Sequence, residues 1–409
     1  LDNTNNITAH LAGHVGRAYL APYGVGLGHA SRLVMVADHL HQGNVQVRFS
    51  SYGEAASYVS MRGYECWTVP PVEFAWSGQG SFSIKQSIAN IPLWFANFSR
   101  QVNAETRNMT MYGPDVIVSD SRLSPIFAAK LLGIPSVVIL NQVKLLLSPR
   151  LRELAVSRLF EMMAGEFLGS MWNMADRILV PDLPPPYTIS AHNVWGVGAA
   201  AKKIEYIGFT APKPHVNEEQ VDKVARSLGF ERSRPVVFVH ISGPVQTRMP
   251  LVRLALESAG QLDGKAQFVF SEGRPNGSTE PCKVGPSAWY YEWCPVKDEI
   301  FTLSDLIVLR GGHTALSQAI QFGKPVVTIP IENHGEQLGN SGNAAKLGIG
   351  VMLNPKGLKP AQISGAIEQV LGDPAYREKT LRLNKMAENT DGIENVVNVV
   401  RSYIKSERK

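Results

Sequence analysis

The chain has 409 residues, with 40 Lys and Arg against 35 Asp and Glu for a net charge of +5, 44% hydrophobic and 18% charged. At roughly 100–200 residues per domain this length predicts two or three domains with a sizeable core, and the composition excludes a mainly disordered chain. No apolar stretch approaches the ~18–20 residues of a membrane span, and the mild charge, without a run of five basic residues, gives no reason to expect nucleic acid.

The polar start, Leu1–Thr8, has neither the basic nor the apolar region of a secretory signal, so a cytoplasmic setting is the expectation. Cys66, Cys282 and Cys294 form no Cys-x-x-Cys pair and cannot all pair with one another, which argues against a disulfide scaffold or structural zinc. Sequons at Asn6, Asn97, Asn108 and Asn276 are read as chance in a chain without a signal.

In chain order, Arg17–Ala21 reads as a strand, followed by a glycine-rich turn and a helix from about His29 to Leu40. Val45–Phe49, Asp115–Val118 and Ser136–Leu140 read as further strands. Most are brief and rich in apolar residues, and buried parallel strands are typically brief, β-branched and apolar on both faces. The segment Gly208–Glu231, with Pro212 and Pro214, suits a linker and a first helix. The pattern then restarts with Pro235–Ile241, Gln267–Phe270, Leu306–Leu309 and Val326–Ile329. Strands separated by helices mean βαβ units. The expected fold is therefore α/β, with two doubly wound, Rossmann-like domains over 1–208 and 209–385 facing a cleft. A helical tail over 386–409 is expected to pack back through Ile393, Val396, Val397 and Val400.

In doubly wound sheets, ligands bind beyond the carboxyl ends of the strands. Three motifs lie there. Gly24-Val25-Gly26-Leu27-Gly28-His29, with Ser31 and Arg32, follows the first strand. Its glycines permit a tight turn, the helix that follows favours anions, and His29 can act as a base near neutral pH; the spacing is not that of the dinucleotide fingerprint. Asp120 follows the strand Asp115–Val118, where it either caps the next helix or pairs with His29 and supports proton uptake by the imidazole. The third cluster runs through Trp293-Cys294-Pro295-Val296, Arg310-Gly311-Gly312-His313-Thr314 and Glu336-Gln337. Backbone N–H groups at the Gly-Gly turn, with Arg310 and the Thr314 hydroxyl, suit a diphosphate, while the carboxylate and amide of Glu336 and Gln337 suit sugar hydroxyls.

The span Trp293–Gln337 resembles the nucleotide-sugar signature of the GT-B glycosyltransferase superfamily: a Trp-x-Pro-Gln start, a glycine-rich phosphate turn and an Asp/Glu-Gln end. Gly24–His29 and Arg310–Gly312 are similar in particular to the group around the peptidoglycan-precursor N-acetylglucosaminyltransferase and the UDP-glycosyltransferases. The resemblance implies that Trp293 stacks near the base and that Arg310, Gly311, Gly312, His313 and Thr314 lie on the diphosphate. It implies that Ser242 and Gly243 lie against the phosphates, that Gly28 borders the donor, and that Glu336 and Gln337 meet the donor sugar. It also implies that His29, paired with Asp120, is the acceptor-activating base. Two positions depart from the pattern: Val296 replaces the usual Gln, and Gln318 stands where relatives place a ribose-binding Glu. Additional residues lie between Gln337 and Asn343-Ala344.

The activity so implied is an inverting, metal-independent transfer from a nucleotide-sugar, expected to be UDP-linked, with no cofactor and no metal; no Asp-x-Asp motif ends a strand. Two alternatives stay open: a non-hydrolysing nucleotide-sugar epimerase, and a non-catalytic nucleotide-sugar-binding protein. The acceptor is less defined. Ser81–Arg107 and Lys144–Met174 combine apolar and basic residues, and their preferred reading is helices that face the core. A peripheral membrane surface admitting a lipid-linked acceptor is the second reading.

Overall fold

The computed structural model describes residues 15–72, 91–144, 152–211, 213–214, 217–243, 245–274 and 277–406. The first half runs β1 (Arg17–Pro22), α1 (Leu27–Gln42), β2 (Gln46–Ser51), α2 (Gly53–Met61), β3 (Cys66–Thr68), α3 (Ile91–Tyr112), β4 (Val116–Asp120), α4 (Ser124–Leu132), β5 (Ser136–Ile139), α5 (Ala155–Trp172), β6 (Arg177–Val180), α6 (Ala191–Val194), α7 (Gly198–Ala201) and β7 (Ile204–Tyr206). The second half runs α8 (Glu218–Ser227), β8 (Val236–His240), α9 (Val245–Gln261), β9 (Gln267–Ser271), β10 (Cys282–Gly285), β11 (Ala288–Tyr291), α10 (Lys297–Leu303), β12 (Leu306–Leu309), α11 (His313–Gln321), β13 (Val326–Thr328), α12 (Gly335–Leu347), β14 (Gly350–Met352), α13 (Pro360–Gly372), α14 (Pro374–Glu388) and α15 (Gly392–Ser406).

Two sheets result. The first has the order β3-β2-β1-β4-β5-β6-β7 and is parallel throughout. The second has the order β10-β11-β9-β8-β12-β13-β14, parallel except for the β10–β11 pair. Strands such as β4 and β12 are buried along their whole length because helices cover both sheet faces. The strand order reverses between β1 and β4 in one sheet and between β8 and β12 in the other. Those reversals open crevices at the strands' carboxyl ends.

The last helix leaves the second sheet and returns to the first. Ile393, Val396, Val397 and Val400 of α15 are buried in the cluster that contains Leu33, Val36 and Leu40 of α1. At ~1.5–3 kcal/mol per buried aliphatic side chain, this is a strong tie between the chain's end and its beginning. The close approach is visible at Gly16, where a Cβ would stand 2.4 Å from Ile404 Cγ2.

One helix departs from expectation. α5 buries Glu161, Gly165, Gly169 and Trp172, while Val156, Leu159, Phe160, Met163 and Phe167 on its opposite side are each more than half exposed. The core-facing reading of this segment is thereby corrected. Gly169 lets the helix lie against the loop before α7, since a Cβ there would stand 2.2 Å from Val197 Cγ1, so the small-residue face is the packed one. Residues 81–90 and 145–151 of the two amphipathic segments lie outside the described residues.

Candidate active site

At the first switch point, β1 ends in the turn 23–26 and α1 begins at Leu27. Gly26 has φ +78°, and a Cβ on Gly24 would collide with the Tyr52 ring at 2.2 Å, so the turn requires glycine at both positions. Tyr23 N–H donates to the Asp120 carbonyl at 3.0 Å, tying this turn to the end of β4. His29 sits in the first turn of α1, and its Nδ1 lies 2.7 Å from Asp120 Oδ1. The pairing expected from the two strand ends is therefore made. Asp120 is fully buried and His29 partly exposed, with side chains 0% and 23% accessible.

Burial by itself would push the Asp120 carboxyl up. The Arg32 guanidinium and His29 outweigh it and hold the carboxyl below its ordinary range. Asp120 is thus ionised and can only accept, so His29 Nδ1 carries the proton between them and Nε2 is the ring nitrogen that Asp120 does not engage.

At the second switch point, β12 runs into Arg310-Gly311-Gly312 and α11 starts at His313 with Gly312 as its N-cap. Gly311 has φ +81°, and a Cβ there would stand 2.1 Å from Ser341 Oγ and 3.0 Å from the Gln337 carbonyl oxygen. Arg310 is buried, donates from Nη2 to the Thr247 carbonyl and, among the described residues, has no hydrogen-bond partner at Nε. Burial pushes its guanidinium down to about 10. Ser242 and Gly243, after β8, are exposed, and Arg248 donates to the Gly243 carbonyl at 3.2 Å.

The two switch points face one another. A Cβ on Gly28 would stand 3.0 Å from Thr314 Oγ1, so the helix starts of α1 and α11 meet across the interface between the sheets. Asn141, just after β5, donates to Glu336 Oε1 at 2.8 Å, and Asn193 donates to Asn340 Oδ1 at 2.7 Å. The site therefore combines an oriented imidazole with, opposite it, a glycine turn, a helix N-terminus and a buried cation.

Two family models match, one to each sheet. Glycosyl transferase family 1 matches residues 20–165, and the C-terminal domain described as erythromycin biosynthesis protein CIII-like matches 253–401. An uncharacterized glycosyltransferase of Methanosarcina mazei is 26% identical over 381 residues, 90% of this chain and 93% of that protein. The ecdysteroid UDP-glucosyltransferase of Lymantria dispar multicapsid nuclear polyhedrosis virus is 28% identical over 190 residues, 45% of this chain and 35% of that one. The solved spinosyn rhamnosyltransferase complexed with thymidine diphosphate superposes with a TM-score of 0.64 at 17% identity, covering 94% of this chain and 100% of that one. The chain is a glycosyltransferase with the GT-B fold.

In this glycosyltransferase several expected donor residues are committed to other partners. The His313 imidazole is buried, with Nε2 3.1 Å from Asp182 Oδ2, so what it leaves at the helix start is its backbone N–H. Gln318, the departure from a ribose-binding Glu, is 3% exposed and donates to Asp298 Oδ1 at 3.1 Å. Gln337 Oε1 accepts from the Ile331 N–H at 2.9 Å and so holds the loop before α12. Glu336 spends one carboxylate oxygen on Asn141. Trp293 is half-buried in the turn after β11, and its backbone N–H donates to the Ser278 carbonyl at 3.1 Å.

Other site residues had no role assigned from sequence. Arg32 is fully buried beside Asp120, one turn along α1 from His29; its spacing was the signal. Asn141 directly follows a recognised strand and obeys the same rule that located Asp120. Asp182 follows β6, a strand not recognised in the sequence. Its carboxylate accepts from the N–H groups of Leu183, Ile189 and Ser190 and from the Ser190 hydroxyl, besides facing His313. It folds the loop 182–190 and ties it to the second sheet.

Proposed function

We propose that this glycosyltransferase moves a hexosyl or N-acetylhexosaminyl group from a UDP-sugar to an acceptor hydroxyl, with inversion and without a metal ion. The observation that carries the reading is the His29–Asp120 pair set across from the Arg310–Thr314 turn. The acceptor O–H proton passes to His29 Nε2 as the acceptor oxygen bonds the anomeric carbon on the face opposite the diphosphate. The bond from the anomeric carbon to the diphosphate oxygen breaks, and its electron pair leaves with the diphosphate. Asp120 steadies the resulting imidazolium. The helix start of α11 and Arg310 meet the charge on the leaving group. Ser242 and Gly243 approach the phosphates from β8, and Glu336 lies on the sugar side.

The viral relative's name supports uridine as the base, and the thymidine diphosphate complex makes thymidine the competitor. Calorimetric titration with UDP and dTDP distinguishes them: tighter binding of dTDP overturns the uridine assignment. Proton NMR of the anomeric linkage in the product tests inversion, and full activity in EDTA tests independence from metal.

A lipid-linked acceptor presented at a membrane surface is the second reading. The solvent-facing stripe of Val156, Leu159, Phe160, Met163 and Phe167 on α5, with Arg158 exposed beside it, favours this reading. Among the described residues, no helix is long and apolar enough to cross a membrane. Sedimentation with vesicles containing anionic lipid tests this reading: Phe160→Ser with Phe167→Ser should lower the bound fraction severalfold, and equal sedimentation of both proteins would remove it.

A further inference from the structure

We propose that Arg32 is a positioning residue that keeps His29 in its neutral, proton-accepting form by sharing the Asp120 carboxylate; this rests on His29 being the base. The two carboxylate oxygens are divided. Oδ1 meets His29 Nδ1 at 2.7 Å and the Ser121 hydroxyl at 3.3 Å, and Oδ2 lies 3.3 Å from Arg32 Nη1. Asp120 is 0% and Arg32 2% exposed, so water does little to screen the charges.

The division matters because a buried carboxylate beside an imidazole has two opposed effects. It fixes the tautomer, which a base needs. It also stabilises the imidazolium, and an imidazole already protonated cannot take the acceptor's proton. A carboxylate facing His29 alone would favour the protonated, inactive form. Arg32 places a permanent positive charge on the other oxygen, so the resting set of Arg32, Asp120 and neutral His29 sums to zero. The tautomer-fixing hydrogen bond remains, while the pull toward premature protonation is largely cancelled.

The groups around the imidazole come from several elements. The first sheet supplies Asp120 and Ser121. The turn after β1 supplies Tyr23, edge-on at 5.9 Å, with Tyr52 behind it. α1 supplies Arg32, and the second domain brings Thr314 to the Gly28 turn. The charged members of this set are Asp120 and Arg32. Depression of the Asp120 carboxyl by Arg32 first and His29 second, against its burial, agrees with that arrangement.

The test is the pH dependence of kcat/KM, together with NMR titration of the His29 imidazole in the ligand-free protein. In Arg32→Gln the acid limb and the His29 midpoint should both move up by about one pH unit, the scale of one neighbouring charge. The rate on the alkaline side should be largely retained, and Arg32→Lys should leave both values near wild type. A folded Arg32→Gln whose His29 midpoint does not move overturns the proposal, as does a rate loss equal at all pH values, which would mean a packing role. If Arg32→Gln does not fold, Asp120→Asn decides. There Arg32 acts on His29 unopposed, so the His29 midpoint should fall below its ordinary ~6.5, and a midpoint that stays or rises refutes the charge balance. A His29→Ala enzyme with normal turnover would remove the base assignment separately, since the NMR titration reads the charge balance without catalysis.

Discussion

The two switch points are built on the same sheet topology, yet one buried arginine, Arg310, sets them apart. At the β1/β4 crevice every buried charge has its counter-charge within the domain: Asp120 lies between His29 and Arg32. At the β8/β12 crevice Arg310 is equally buried, but among the described residues no carboxylate pairs with it. It holds only a backbone carbonyl, and burial lowers its pKa. A buried cation without a carboxylate is costly in the free protein, and a bound anion offsets that cost. On the proposed reading, the first crevice moves a proton and the second holds a polyanion. The difference lies in which side chains end the strands, since the topology is shared.

The comparison can be broken experimentally, most severely at His29. His29→Ala should lower transfer by about 10²–10⁴-fold, with calorimetric UDP affinity nearly unchanged because the proposed nucleotide site is the other crevice. Loss of nucleotide affinity instead would merge the two roles. Arg310→Ala should do the reverse and weaken UDP binding by about 1.5–3 kcal/mol, the worth of a charge-assisted hydrogen bond. The unliganded variant should be no less stable than wild type in urea, because the substitution removes an uncompensated charge.

Gly311→Ala tests the turn itself. With φ at +81° and a Cβ 2.1 Å from Ser341 Oγ, it should destabilise the second domain by about 1–3 kcal/mol in denaturant unfolding. Gln318→Glu should also cost stability, about 1 kcal/mol, because it sets a second carboxylate against Asp298 in place of a hydrogen bond. An unchanged melting temperature would show that Gln318 is free to turn toward a ligand.

The smallest expected effect concerns acid. The Asp120 carboxyl is depressed in the folded protein, so it contributes stability above its unfolded value of about 3.8 that is lost as pH falls through the folded value. The stability difference between wild type and Asp120→Asn should therefore narrow below that pH in urea titrations. A difference independent of pH would mean that the carboxylate charge contributes nothing to folding.

Much of this was legible in the sequence because it is local. Apolar runs at βαβ spacing mark β1, β4, β8 and β12, and whatever follows such a strand is delivered to the sheet's carboxyl edge, which is why His29 and Asp120 meet. Glycine at positions 24, 26 and 311 marks turns that a side chain would block. The tertiary structure decided what depends on partners distant in the chain. Short strands such as β6, β7 and β14 carry three or four residues each and only become strands when a neighbour pairs with them. Gln318 and His313 occupy motif positions, but which group each side chain meets was set by Asp298 on α10 and Asp182 after β6. The apolar stripe of α5 has helical periodicity whichever way it faces; burial of Gly165 and Gly169 turned it outward. Arg32 is one basic residue in a helix until β4 brings Asp120 within 3.3 Å of it. Spacing along the chain determines which residues share an edge or a face, whereas the charge that each one feels depends on what the fold packs against it.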